Sequence, residues 1–148
     1  MQLPFTIDLK DKVVVITGAA GVICSHLSRA IAQCGAKVAI LDRDEAKARQ
    51  FADELNAEGY TAKGFEANVL IKDSLEKCRE AVLKEFGKCD ILINGAGGNN
   101  PKATTDNEYA ELDDATKGIK TFFDLDQSGV EFVFNLNFIG TLLPTQVF

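Results

Sequence analysis

Val13-Val14-Val15-Ile16-Thr17-Gly18-Ala19-Ala20-Gly21-Val22-Ile23-Cys24 joins two kinds of segment within one short stretch. Its first four residues are apolar and β-branched, the composition of a strand buried on both faces. Thr17-Gly18 ends that run, and the small residues through Gly21 form a tight turn. From Val22 to Gln33 the apolar positions Ile23, Leu27, Ala30, Ile31 and Cys34 recur at helical spacing, and Gly35 stands where a helix C-terminal cap belongs. A strand that turns directly into a helix is the first half of a βαβ unit.

Outward from this stretch the alternation repeats. Lys37 to Leu41 reads as a second strand, and Asp44 to Glu58 as a helix with Ala48, Phe51, Ala52 and Leu55 inward and Gly59 at its end. Thr61 to Ala67 reads as a third strand, Ser74 to Phe86 as a helix with Leu75, Cys78, Val82 and Phe86 inward, and Ile91 to Ile93 as a fourth strand. Strands alternating with helices of this length predict right-handed crossovers and an α/β fold: a Rossmann-type parallel sheet with helices on both faces.

From Gly95 to Asp126 the pattern lapses into a polar loop, long enough to expect a functional role, such as closing over a substrate. Asp126 then caps a last helix carrying Phe132, Val133, Phe134, Leu136, Phe138, Ile139, Leu142, Leu143, Val147 and Phe148. A helix apolar on nearly every side must be covered on all of them. The sequence reaches Phe148 inside this helix with no fifth strand beside the fourth. That predicts residues 1–148 to be the first part of a longer protein, or a chain whose apolar surface is hidden by partners.

Composition narrows the function classes. With 148 residues, 46% apolar and 26% charged, the chain matches a globular domain. A net charge of -6 argues against sequence-independent binding to nucleic acid or to an anionic membrane. No apolar run spans a bilayer, and Met1 to Lys10 lacks the pattern of a secretory signal. The four cysteines, Cys24, Cys34, Cys78 and Cys89, include no C-x-x-C pair, and His26 is the single histidine, so no metal site is expected. Unpaired thiols in apolar patterns point to a reducing cytoplasm.

The chemistry gathers at the strand ends. Gly18, Ala20, Gly21, Val22 and Ile23 form a turn whose backbone and following helix N-terminus suit a pyrophosphate. Asp42 falls 24 positions after Gly18, at the end of the second strand, where a carboxylate accepts hydrogen bonds from an adenosine ribose, and Arg43 is beside it. Asn68 and Val69 follow the third strand, and Asn94, Ala96 and Gly97 follow the fourth. Open parallel sheets bind ligands at this carboxyl edge.

Thr17-Gly18-x-x-Gly21, Asp42, Asn68-Val69, Asn94-x-Ala96-Gly97 and Asn137-x-x-Gly140 together resemble the N-terminal half of a short-chain dehydrogenase/reductase. Gly21 to Cys24, the Gly97 to Asp106 loop, Lys120 to Asp126 and Asn137 to Phe148 are more narrowly similar to the D-mannonate oxidoreductase (fructuronate reductase) branch. The resemblance implies NAD as cofactor, a sugar acid as substrate, and a homo-oligomer formed through the Asn137 helix. It also implies catalysis by Asn, Ser, Tyr and Lys, of which only Asn137 has a counterpart here. Tyr60 is followed four residues later by Gly64 and Tyr109 by Asp113, so neither starts the expected Y-x-x-x-K, and the Ser, Tyr and Lys are expected after Phe148. The chain departs from the family pattern at four places: Val22 and Cys24 stand for glycines, Asn68 for aspartate and Gly95 for asparagine. Two other classes stay open. One is a methyltransferase using S-adenosylmethionine, against which Asn94-Gly95-Ala96-Gly97 argues; the other is a non-catalytic dinucleotide-binding protein.

Overall fold

Four parallel strands carry the fold: β1 (Val13–Thr17), β2 (Lys37–Asp42), β3 (Thr61–Glu66) and β4 (Ile91–Asn94), ordered β3-β2-β1-β4 in one sheet. The computed structural model describes residues 7–148, so the first six residues of the N-terminal reading lie outside the described part. β1 lies at the centre, with Val14 paired to Val38 on one side and to Ile91 on the other. Helices α1 (Val22–Gln33), α2 (Glu45–Ala57) and α3 (Lys72–Phe86) follow the first three strands.

Alternation along each strand divides the core into two layers. Val14, Ile16, Val38 and Ile40 face α1 and α2, meeting Cys24, Ala32, Ala48, Phe51, Ala52 and Leu55. Val15, Ala39, Leu41 and Phe65 face the other way, onto Leu75, Cys78 and Val82 of α3 and onto Leu136, Leu143 and Val147 of the last helix. Burying each of the larger aliphatic side chains stabilises by roughly 1.5–3 kcal/mol relative to exposure. The cysteines are free; Cys24 and Cys78 are buried, and burial pushes the Cys78 thiol up to about 12.

The inward faces of α2 and α3 are those the periodicity predicts, but α1 is rotated from its expected stripe. It buries Cys24, Ser28 and Ala32, and leaves Ile23 83% exposed. Small side chains on the inward face let the helix lie close to β1, which the bulkier Ile23–Leu27 face does not allow. Helix α3 starts at Lys72, ahead of the expected Ser74: Leu75 N already donates to Ile71 O at 3.2 Å, and the Ser74 hydroxyl, inside the first turn, accepts from Asn68 N at 3.0 Å.

The segment after β4 is more ordered than its polarity suggests. It contains 3-10 turns at Pro101–Ala103 and Phe122–Asp124 and a one-turn helix, α4 (Asp114–Lys117). Backbone ties close its base: Asp106 N donates to Lys120 O at 3.0 Å, and Asp126 N to Lys102 O at 3.0 Å. The last helix is not uniform. α5 (Gln127–Phe134) passes through a π-helical turn, Asn135–Ile139, into α6 (Gly140–Val147). One side packs on α3 and β4, while Phe134 and Phe138 are 70% and 65% exposed.

Candidate functional site: a cleft at the carboxyl edge

The carboxyl ends of all four strands border one cleft of about 600 Å³. Gly18, Gly21, Val22, Ile23, Asp42, Arg43, Asn68, Val69, Ala96 and Gly97 line it, so ten of the expected cofactor residues meet there. Ala20 and Asn94 do not. A more open hollow of about 910 Å³ follows the free edge of β3 between α2 and α3. Its rim mixes Glu45, Arg49, Lys63, Asp73 and Lys77, and of the four strands only β3 borders it.

Backbone geometry builds the cleft. Gly18 adopts φ +63°, and a Cβ there would stand 2.9 Å from the Ala96 Cα, so only glycine lets the β1 turn touch the β4 turn. The Thr17 hydroxyl, 1% exposed, accepts hydrogen bonds from Gly95 N and Ala96 N, both at 3.1 Å. Thr17 stands in the quoted motif, yet nothing local in the sequence marks it as the link between two strand ends. Cys24 adds a contact from α1, its thiol donating to Gly95 O at 3.8 Å.

The start of α1 is open to an anion. Gly21 is its N-cap and supplies no side-chain cap, and the first turn holds no acid. Ser25 N makes the first bond back, to Gly21 O, so the N–H groups of Val22, Ile23 and Cys24 precede the ladder. Helices α2 and α5, by contrast, are capped by Asp44 and Asp126. Val22 and Ile23 are 82% and 83% exposed at the mouth of the cleft, apolar surface that a bound ligand would cover.

Asp42 is half-buried at the end of β2, with Oδ1 accepting from Asp44 N at 3.1 Å. Its Oδ2 makes no hydrogen bond among the described residues, and Arg43 beside it is exposed. Asn68 is committed locally: Oδ1 accepts from Leu70 N at 3.0 Å, an Asx turn. The Asn94 carboxamide turns away from the cleft, donating from Nδ2 to Thr145 Oγ1 on α6 at 2.9 Å.

Asn137 lies in the π-helical turn and clamps the loop after β4. Its Oδ1 accepts from Gly98 N at 3.1 Å, and its Nδ2 donates to Gly98 O and Val133 O, both at 2.8 Å. A Cβ on Gly97 would come within 2.7 Å of that Oδ1, which makes room for the clamp a second reason for glycine there. The Thr141 hydroxyl donates to Asn137 O at 3.0 Å. Of the polar loop residues Asn99, Asn100, Lys102, Thr104 and Thr105, only Asn99 lines the cleft. Thr104 bonds Asn99 and the Asn100 carbonyl, Thr105 bonds Asn107, the Asn100 side chain caps Lys102 N, and the Lys102 ammonium is 3.7 Å from Asp126.

These residues fit a dinucleotide: a glycine cradle that side chains would fill, an uncapped helix start for its phosphates, and a carboxylate at the ribose position. The pattern of the short chain dehydrogenase family matches residues 12–148. An "Uncharacterized oxidoreductase" of Haemophilus influenzae is 50% identical over 148 residues, which is 100% of this chain and 52% of the relative. "Uncharacterized oxidoreductase UxuB" of Bacillus subtilis is 46% identical over 147 residues, 99% of this chain and 52% of the relative. The 7alpha-hydroxysteroid dehydrogenase of Bacteroides fragilis is 36% identical over 107 residues, 70% of this chain and 40% of the relative. Among solved structures, one described as a candidate D-mannonate oxidoreductase of Haemophilus influenzae, with NAD bound, superposes with a TM-score of 0.90 at 51% identity. The match covers 96% of this chain and 50% of that one. The chain spans about half the length of the curated relatives it matches most fully.

Proposed function

Because the chain belongs to the short-chain dehydrogenase family, we propose that it forms the dinucleotide-binding part of an NAD-dependent oxidoreductase interconverting D-mannonate and D-fructuronate. The convergence of ten expected cofactor residues on one carboxyl-edge cleft carries this reading. The bound NAD and the description of the 51% identical structure support the cofactor and the sugar-acid substrate.

When bound, NAD accepts a hydride from the alcohol carbon of the substrate, whose hydroxyl proton leaves to a base, giving a ketone, NADH and a proton. In this reading the Gly18–Gly21 turn and the first N–H groups of α1 hold the pyrophosphate. Asp42 Oδ2 accepts from the adenosine ribose, and the Ala96–Gly97 backbone borders the nicotinamide end. Asn68 contributes its amide nitrogen and backbone to the adenine wall, while Asn137 acts by fixing Gly98. The Ser, Tyr and Lys of the family have no counterpart in residues 1–148, and the proposal places them in the remaining half of the relatives' length.

The exposed Phe134 and Phe138, with Phe132 and Leu142 at 40% and 39% exposure, support a homo-oligomer formed through this helix. The free thiols support a cytoplasmic location. No helix among the described residues is long and apolar enough to cross a membrane.

Titration of the complete protein with NADH and NADPH tests the cofactor reading. A charge-assisted hydrogen bond contributes roughly 1.5–3 kcal/mol, so NADH should bind about one to two decades more tightly. Asp42→Ala should erase most of that preference. Tighter binding of NADPH, or an unchanged preference in Asp42→Ala, would overturn the reading. Reduction of D-fructuronate by NADH, set against other keto sugar acids, tests the substrate.

A further inference from the structure

We propose that Cys24 and Gly95 are a size-exchanged pair in which the sulfur on α1 occupies the space a side chain after β4 would need, and so positions the backbone that borders the cleft. The binding consequence rests on the reading of this cleft as the NAD site; the packing consequence does not.

Both positions depart from the family pattern, Cys24 from glycine and Gly95 from asparagine. They are 71 positions apart, so in sequence the departures look unrelated. In the fold they are in contact. A Cβ built on Gly95 would collide with Cys24 Sγ, whereas Cys24 Cβ would be 3.6 Å from it, an ordinary contact. The helix-side obstacle is therefore the sulfur alone. On the β1 side Thr17 O, a backbone atom 2.8 Å from the same point, is a second obstacle that removing the sulfur leaves in place.

The Gly95 peptide is thus held from two sides. Thr17 accepts from its N–H, and Cys24 donates to its carbonyl. Burial raises the Cys24 thiol above its ordinary value, which keeps the donating form at neutral pH. Ala96, the next residue, touches the Gly18 turn, and both line the cleft. Any displacement of Gly95 therefore shifts the cleft lining at this junction. Cys24 acts as a positioning residue, through Gly95, on whatever the cleft holds.

Four forms of the complete polypeptide test the pair: wild type, Cys24→Ala, Gly95→Ala and the double variant. Thermal melting and NADH affinity by fluorescence titration are read for each. Gly95→Ala should lower the melting temperature and weaken NADH about tenfold, and Cys24→Ala should recover part of both losses, a coupling of the size found between residues in contact, while the Thr17 O contact keeps the recovery incomplete. Cys24→Ser, which keeps an atom at the γ position, should rescue less than Cys24→Ala. If Gly95→Ala fails to fold, folding of the double variant is the same rescue, and failure of both overturns the pair. Additive losses, or equal rescue by serine, overturn it too. Rescue of melting without rescue of affinity overturns the positioning role. A wild type that binds no NADH overturns the cofactor reading, and melting then decides the pair alone.

Discussion

Thr17 shows how much one side chain can hold. Its hydroxyl is the single acceptor for two N–H groups at the end of β4, in a site almost closed to water. Thr17→Val keeps the shape and removes the acceptor. Leaving a buried donor unsatisfied costs about 1–3 kcal/mol, and the melting temperature should fall accordingly. NADH affinity should fall with it, because Ala96 follows directly. A Thr17→Val protein as stable as wild type would show that the two N–H groups find other partners. At this scale the sequence announces identities better than directions. That Gly18 and Asp42 stand at the carboxyl edge was legible from motif and spacing. That Asn68 spends its oxygen on Leu70, and that Asn94 turns to Thr145, depends on neighbours contributed by other segments. Asn137 was legible as a position in the family pattern, but its clamp on Gly98 joins residues 39 positions apart.

Among the elements, α2 and β3 make the closest approach. A Cβ on Gly64 would lie 2.5 Å from the backbone of Ala48 and Arg49, atoms that cannot move without moving the helix. Overpacking of this kind costs typically 1–3 kcal/mol or roughly that order, and Gly64→Ala should destabilise at the upper end of it. Gly59 offers the contrast: φ is +91° but nothing lies within 4 Å of its missing Cβ. Gly59→Ala should cost only the backbone strain of about 1–2 kcal/mol. Chemical denaturation of the two variants separates packing from strain, and a Gly64 variant as stable as the Gly59 one would contradict the close approach. A further tie holds the start of β1, where Asp90 Oδ2 accepts from Val13 N at 2.8 Å. That bond and the neighbouring Lys88 hold the Asp90 carboxyl below its ordinary 3.8. A carboxyl depressed by folding stabilises above the unfolded value and loses that contribution as pH falls through the folded one. The melting-temperature gap between wild type and Asp90→Asn should therefore be full at neutral pH and close below 3.8. The strands and α2 were legible because burial on fixed periods wrote them into the sequence. The π-helical turn was not, since the bonds of Asn137 to Gly98 tie it to another segment, nor was α4, a single turn held by local bonds of Asp113 and Asp114, and the inward face of α1 follows side-chain size more than hydrophobicity.

The whole molecule combines a net charge of -6 with several exposed aromatic side chains. Phe122 and Phe123, 72% and 92% exposed, add to the exposed Phe134 and Phe138. Residues 1–148 made alone should sediment as oligomers or aggregate, and Phe134→Asp with Phe138→Asp should shift them toward monomer. A cooperatively melting monomer of the unmodified chain would contradict the proposed self-association. The sheet order also predicts a sequence of events in time, which pulse-labelled hydrogen exchange during refolding would check. β1 must leave space for β2 and β3 on one side and wait for β4 on the other, and the two turns that face each other at the cleft are 78 positions apart along the chain. Closing so long a loop is entropically slow to be rewarded, so the β1–β4 pairing belongs to the late part of folding. Neither turn encloses a ligand before that moment. During refolding, a cofactor admitted by this cleft can therefore neither template the early chain nor rescue a chain stalled before β4 docks; its capture marks the end of assembly.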